Sequence, residues 1–130
     1  MKTNLDGLFK TDKAQEQEGV VFQLGETTFT MKRFGGFNSP LVRKAMAKYH
    51  KPYAKQVEMG TLSFEKEQEI MAKVFVEGSL MGWSGLEVDG EMVDYSKEVA
   101  VKLLIELPDL MNTLVEYASN ADHYREDLGN

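Results

Sequence analysis

The chain has 130 residues, of which 42% are hydrophobic and 10% aromatic, enough to bury one core and too many for a disordered, collagen-like or mucin-like polymer. Fifteen Lys and Arg stand against 21 Asp and Glu, a net charge of −6 that disfavours general attraction to nucleic acid or to an anionic membrane. Without cysteine there is no disulfide frame, thiolate zinc site or cysteine nucleophile, and a reducing cytoplasm is the simplest home.

Residues 1–18 hold the Leu8-Phe9 pair within charged and Gln-rich sequence. They lack the apolar run of a signal peptide and predict a flexible arm or a docked tail, with a single helical domain over 19–130. Val20–Leu24 and Thr27–Lys32, rich in β-branched and aromatic residues around Gly25-Glu26, predict a hairpin in which Phe29 and Met31 share a face. The loop Arg33–Asn38 leads to Ser39-Pro40, which reads as an N-cap with Pro at the first helical position. Helix one then runs to about Lys51, with Leu41, Val42, Ala45, Met46 and Tyr49 inward. Pro52 ends or kinks it, and 53–59 forms a short further piece closed by Gly60.

Ser63 caps a second helix whose Phe64, Ile70, Met71, Val74, Phe75, Gly78 and Met81 mark the packed side, with Glu69 and Lys73 paired outside and a stop near Gly82. Asp89-Gly90 between apolar residues signals a tight turn or a tiny hairpin. Ser96 caps helix three, with Val99, Ala100, Leu103, Leu104 and Leu107 inward, and Pro108 opens helix four, whose apolar spacing continues to Ala121 and Tyr124. The expected fold is mainly α: about four helices packed in one small domain with a short N-terminal β-hairpin. No stretch approaches the roughly 20 apolar residues of a membrane span.

Charge is distributed unevenly. Residues 27–57 contain seven Lys or Arg and no acid, so the remainder carries eight cations against all 21 acids. Lys44, Lys48, Lys51 and Lys55 fall at helical spacing and would draw a basic stripe, which suits an acidic partner or another copy of this chain and equally suits a plain solvated face. Opposite poles of this kind would let copies associate head to tail into oligomers or filaments. Arg43, Lys44, Lys48 and Lys51 are therefore candidate partner-binding residues.

Eight methionines supply adaptable apolar surface. Met71, Met81 and Met111 fall on core faces, whereas Met59 and Met92 flank turns and, with Trp83 and Tyr95, are candidate contacts. The alternative for Trp83 is a plug beneath the 88–95 turn. Chemistry is sparse. Asp122-His123 with Glu126 and Asp127 is a weak metal pattern better read as a solubilising end, and His50 among lysines is a poor ligand. Asp89, Glu91 and Asp94 cluster without an apolar pocket, and neither Gly35-Gly36 nor Gly82-x-x-Gly85 has the context of a phosphate loop. The expectation is no catalytic residue, no metal and no cofactor.

One ordered set of short elements carries a family likeness: Trp83-Ser84-Gly85, Asp89-Gly90, Tyr95-Ser96-Lys97-Glu98, Leu103-Leu104 and Leu107-Pro108, preceded by Leu8-Phe9-Lys10-Thr11-Asp12-Lys13 and by Arg33–Asn38. Over residues 8–124 the chain resembles the tail assembly chaperones of long-tailed, siphovirus-type bacteriophages. The resemblance implies a late, non-enzymatic protein of virion morphogenesis. Such a protein coats the hydrophobic tape-measure protein, helps recruit the major tail (tube) protein, stays in the host cytoplasm and is absent from the mature virion. Many members also have a longer product made by ribosomal frameshifting, and this chain would match the shorter one. Two other readings stand beside it: a structural head–tail joining or minor tail protein, and a nucleic-acid-binding regulator that uses the basic segment 32–55.

Overall fold

A computed structural model describes residues 2–125. Seven α-helical segments occur among them: α1 Leu5–Phe9, α2 Lys13–Glu18, α3 Ser39–His50, α4 Ala54–Met59, α5 Phe64–Gly78, α6 Lys97–Glu106 and α7 Pro108–Ser119. The strands are β1 Val20–Leu24, β2 Thr27–Met31, β3 Leu80–Ser84, β4 Glu87–Val88 and β5 Glu91–Met92. The molecule is mainly helical with a small antiparallel sheet, and three short helices accompany the four longer ones that periodicity predicts.

The hairpin forms where alternation places it, with Val20 opposite Met31 and Leu24 opposite Thr27. It is not an isolated ribbon. β3 pairs antiparallel with β2, giving a sheet ordered β1-β2-β3 with an irregularity at Thr30/Met31. This corrects the second helix, expected to run on to Gly82: α5 stops at Gly78, and after Ser79 the residues Leu80–Ser84 are a strand. The helical spacing continued through Met81 by accident, while the open edge of β2 drew 80–84 into a ladder. Ser79 marks the switch, its hydroxyl donating to the Lys32 carbonyl at 2.6 Å. Met81 is consequently exposed rather than core, and Phe64, Val99 and Leu107 are exposed too, although helical spacing predicts them inward.

Helix α5 is the axis of the fold because it is apolar on two sides. Ala72, Phe75 and Val76 join Phe29 and Met31 of the sheet and Ala100, Leu103, Leu104, Met111, Leu114 and Ala118 of α6 and α7 in the main core. Ile70 and Val74 face Ala45 on α3 in a second cluster, bordered by Val42, Met46, Tyr49, Tyr53 and Leu62. The helices come close at Gly78, where a Cβ would stand 3.4 Å from a Val42 methyl.

Caps explain most helix starts. Ser63 accepts from the Lys66 N–H and Ser96 from the Val99 N–H, as their positions suggest. Ser39 does not act as the cap of α3: Asn38 occupies that position, and its amide reaches across the fold to the Arg33 carbonyl at 2.9 Å and the Gly78 carbonyl at 2.8 Å. The Asp89-Gly90 turn has both central residues at positive φ, 52° and 82°, as a type I′ turn between β4 and β5 requires. Helix α7 ends at Ser119, before its expected continuation, and Ala121–Tyr124 is a separate 3-10 turn that buries Tyr124.

Residues 1–18, expected as a flexible arm or a docked tail, divide in two. α1 buries none of its side chains. α2 docks: the Glu16 carboxylate is fully buried, pairs with the Arg33 guanidinium and accepts from the Phe37 N–H at 2.8 Å. Backbone bonds from Asp12 N–H to the Tyr124 carbonyl and from Arg33 N–H to the Glu16 carbonyl fasten it further.

Candidate partner-binding surface

α3 is set by Pro40 at its start and by the apolar spacing that seats Val42, Ala45 and Tyr49 on α5. Its remaining positions face outward. Arg43, Lys44, Lys48 and Lys51 are all exposed, so the structure does place these candidates on one helix and the turn after it. Lys48 is engaged: its ammonium lies 2.8 Å from Glu77 on α5, and this bond, first among its causes, raises its pKa. Arg43, Lys44 and Lys51 form no ion pair with any described residue.

The seam between α3–α4 and α5 is lined with cation–aromatic contacts. The Lys48 ammonium lies 5.1 Å from the Tyr49 ring centre and that of Lys73 6.0 Å from the same ring, while Lys66 sits 5.1 Å over Tyr53. Lys66 and Lys73 also bracket Glu69 at 2.8 and 3.0 Å, and their hydrogen bonds, Lys66 first, hold its carboxyl below the usual range.

Pro52 does what its missing N–H dictates. The chain leaves α3 through a 3-10 turn at Lys51–Tyr53 and restarts as α4, which Gly60 closes in the left-handed conformation at φ 68°. The restart opens a groove of about 270 Å3 between α3, α4 and α5, with Met46, Val57, Leu62, Ile70 and Met71 along its walls. Gln56, Glu67 and His50 supply its polar margin. Arg43 lies on the same stripe of α3 as Met46 and His50, and Met59, 69% exposed, ends α4 beside the groove residue Gly60. His50 is tied to its own helix, its Nδ1 lying 2.8 Å from the Met46 carbonyl oxygen.

Trp83, Met92 and Tyr95 lie elsewhere, around the main core rather than the α3 cluster. The polar atoms of both aromatics are used internally. Trp83 Nε1 donates to the Val93 carbonyl at 2.8 Å, Tyr95 hydroxyl donates to the Leu80 carbonyl at 2.7 Å, and the rings meet edge to face at 4.9 Å. Burial pushes the Tyr95 hydroxyl pKa upward. Trp83 thus pins the 86–95 segment to β3, in the manner of the plug considered for it, and Met92 remains exposed on β5. The eight candidates therefore fall into two groups.

The groove was not legible as a site. Met46 and Ile70 read as packing residues, and only the break at Pro52 hinted that α4 would swing away and leave them partly open. Leu5 joins the Leu8-Phe9 pair at i, i+3, i+4 spacing on α1, and all three are exposed.

The chemical candidates are similarly occupied. His123 stacks on Tyr117 at 3.6 Å with Nδ1 2.9 Å from the Tyr117 carbonyl oxygen, and Asp122 is bonded by Arg125 at 2.9 Å. Glu126 and Asp127 lie outside the described residues. Among the described residues no group of three His, Cys, Asp or Glu is placed to hold a metal, and no helix is long and apolar enough to cross a membrane.

This arrangement describes a small helical protein whose open features are a groove, a cationic ridge and a sheet edge. Residues 37–128 match the model of the YdaY prophage protein family, and the chain belongs to that family. It is a protein of phage origin. The match covers α3 to α7 with β3, β4 and β5, and begins after the β1–β2 hairpin. No curated protein and no solved structure shows significant similarity to the chain.

Proposed function

We propose that this prophage protein is a tail assembly chaperone. It binds the tape-measure protein, keeps that long apolar rod soluble while the tail is built, and helps recruit major tail (tube) protein subunits. On this reading it performs no reaction of its own, acts in the host cytoplasm and is left out of the finished virion.

The observation that carries the proposal is the groove between α3, α4 and α5, with Met46, Val57, Leu62, Ile70 and Met71 along its walls and Arg43 on the same stripe of α3 as Met46 and His50. An amphipathic helix inserts apolar residues at i, i+3 and i+4 spacing into such a groove, and its acidic flank is drawn to the cations. Met46 and Met71 give the lining two flexible thioether chains, with Met59 exposed beside it, and such chains repack around differing turns of a long partner. The phage origin of the family is compatible with this reading, and the ordered elements from Trp83 to Pro108 support it.

Co-expression with the tape-measure protein of the same prophage tests it. The expected result is that the rod moves from the insoluble to the soluble fraction and co-purifies with this chain, and that Val57→Asp with Met59→Asp abolishes both effects while the fold is retained. A rod equally insoluble with or without the chain overturns the proposal. So does detection of the chain at stoichiometric level in purified virions by mass spectrometry, which would make it a structural component.

A further inference from the structure

The two edges of the three-stranded sheet are treated differently. Along β3 the 86–95 segment covers the edge through the Trp83–Val93 and Tyr95–Leu80 hydrogen bonds, and Thr27 Oγ1 closes the corner by donating to the Gly85 carbonyl at 2.9 Å. β1 lies at the opposite edge, and no described residue pairs with its far side.

Which backbone groups of β1 are free follows from the turn. Gly25, at φ 65°, and Glu26 form a two-residue connection of type II′, so Leu24 and Thr27 exchange hydrogen bonds across it. Alternation then turns the N–H and C=O groups of Leu24, Phe22 and Val20 toward β2, and those of Val21 and Gln23 toward the open edge. The strand Val20-Val21-Phe22-Gln23-Leu24 contains no charge, proline or bulge, the devices that ordinarily blunt an edge. Val21 is 60% and Leu24 44% exposed.

We propose that β1 is a dimer edge at which two copies of this chain join antiparallel across a two-fold axis through Phe22, merging two three-stranded sheets into one of six strands. The free groups are self-complementary: Val21 of one copy faces Gln23 of the other and vice versa, so the two pairs exchange four backbone hydrogen bonds. Phe22 meets its own copy between them in the non-hydrogen-bonded position. A helical partner cannot fill this edge, because its backbone groups are already bonded to one another. A second copy offers the matching strand, and its lack of charge lets two chains of net charge −6 approach there. The contact is separate from the groove, so it holds or fails independently of the chaperone reading. In this register Glu18 stands opposite Glu26 of the second copy just beyond each strand end, so added salt tightens the dimer by screening like charges, whereas it would loosen a head-to-tail contact between opposite poles.

Light scattering across a concentration series and amide hydrogen exchange on the full chain test this. The expected result is a dimer at high concentration, favoured by raising salt, in which the Val21 and Gln23 amides gain protection that they lack in the monomer, while the Phe22 and Leu24 amides are protected in both. Gln23→Pro removes an outward N–H without touching the β1–β2 ladder and should weaken the dimer at least about tenfold. Val21→Lys, which keeps every backbone group, should weaken it as well, with the circular dichroism and melting of both variants showing a retained fold. A monomer at every concentration overturns the proposal, as does a dimer whose Val21 and Gln23 amides still exchange freely or whose affinity both variants leave unchanged.

Discussion

At the scale of single residues, Glu16 is the one charged side chain among the described residues that is fully buried. Burial raises its pKa, yet the hydrogen bonds from Arg33, Thr11 and the Phe37 N–H, with the Arg33 charge, together more than offset that, and the carboxyl titrates below its ordinary value of 4.5. A carboxyl with a depressed folded pKa stabilises the protein above its unfolded pKa, and that contribution is lost as pH falls through the folded value. Glu16→Ala strips the partly buried Arg33 guanidinium of its partner and should cost about 3 kcal/mol at neutral pH, and the variant's stability should fall less between pH 5 and the acid limit than the parent's. Urea titrations at several pH values check this, and equal acid sensitivity of the two proteins would count against the role assigned to the pair. Gly36 explains why the junction tolerates no side chain: its φ is 54°, and a Cβ would stand 2.7 Å from Glu16 Oε1. Glu16 was not recognisable from its neighbours, because Glu-Gln-Glu in a polar stretch looks solvated. Only the distant Arg33 changes its meaning.

At the scale of elements, the hairpin is part of the core rather than an appendage. Phe29 and Met31 are buried, Phe29 meets Trp83 edge to face at 6.4 Å, and Phe22 stacks on Tyr117 of α7 at 4.2 Å. Phe29→Ala should therefore destabilise the whole protein by about 3–5 kcal/mol, the range for emptying a packed aromatic site, with chemical denaturation as the measurement. A cost near zero would mean that the hairpin unfolds alone. The alternation in 27–31 and the Gly25 turn were readable because strand period and turn chemistry are local properties. β3 was not, since Leu80-Met81-Gly82-Trp83-Ser84 continues the helical spacing of α5 and becomes a strand only beside the edge of β2. The same limit applies to Val99, exposed on α6, and to Leu107, which is exposed at the junction between α6 and α7.

At the scale of the whole molecule, α5 joins the two apolar clusters, and Phe34 packs against both. Unfolding should consequently be one cooperative transition, with the near-ultraviolet signal of Trp83 and the far-ultraviolet helix signal lost at the same denaturant concentration. Separate midpoints would show that the α3–α5 unit folds apart from the sheet. The sequence by itself determined the helical class, the hairpin, the caps at Ser63 and Ser96, the breaks at Pro52 and Pro108 and the location of the cationic segment, all of which depend on periodicity or backbone chemistry within a few residues. The tertiary structure alone decided that Glu16 is buried, that 80–84 is a strand, that Trp83 and Tyr95 use their polar atoms internally, and that a groove opens beside α4. Those outcomes depend on which surfaces meet across tens of residues, and the balance of burial, desolvation and hydrogen bonding that fixes them exists only once the chain has closed.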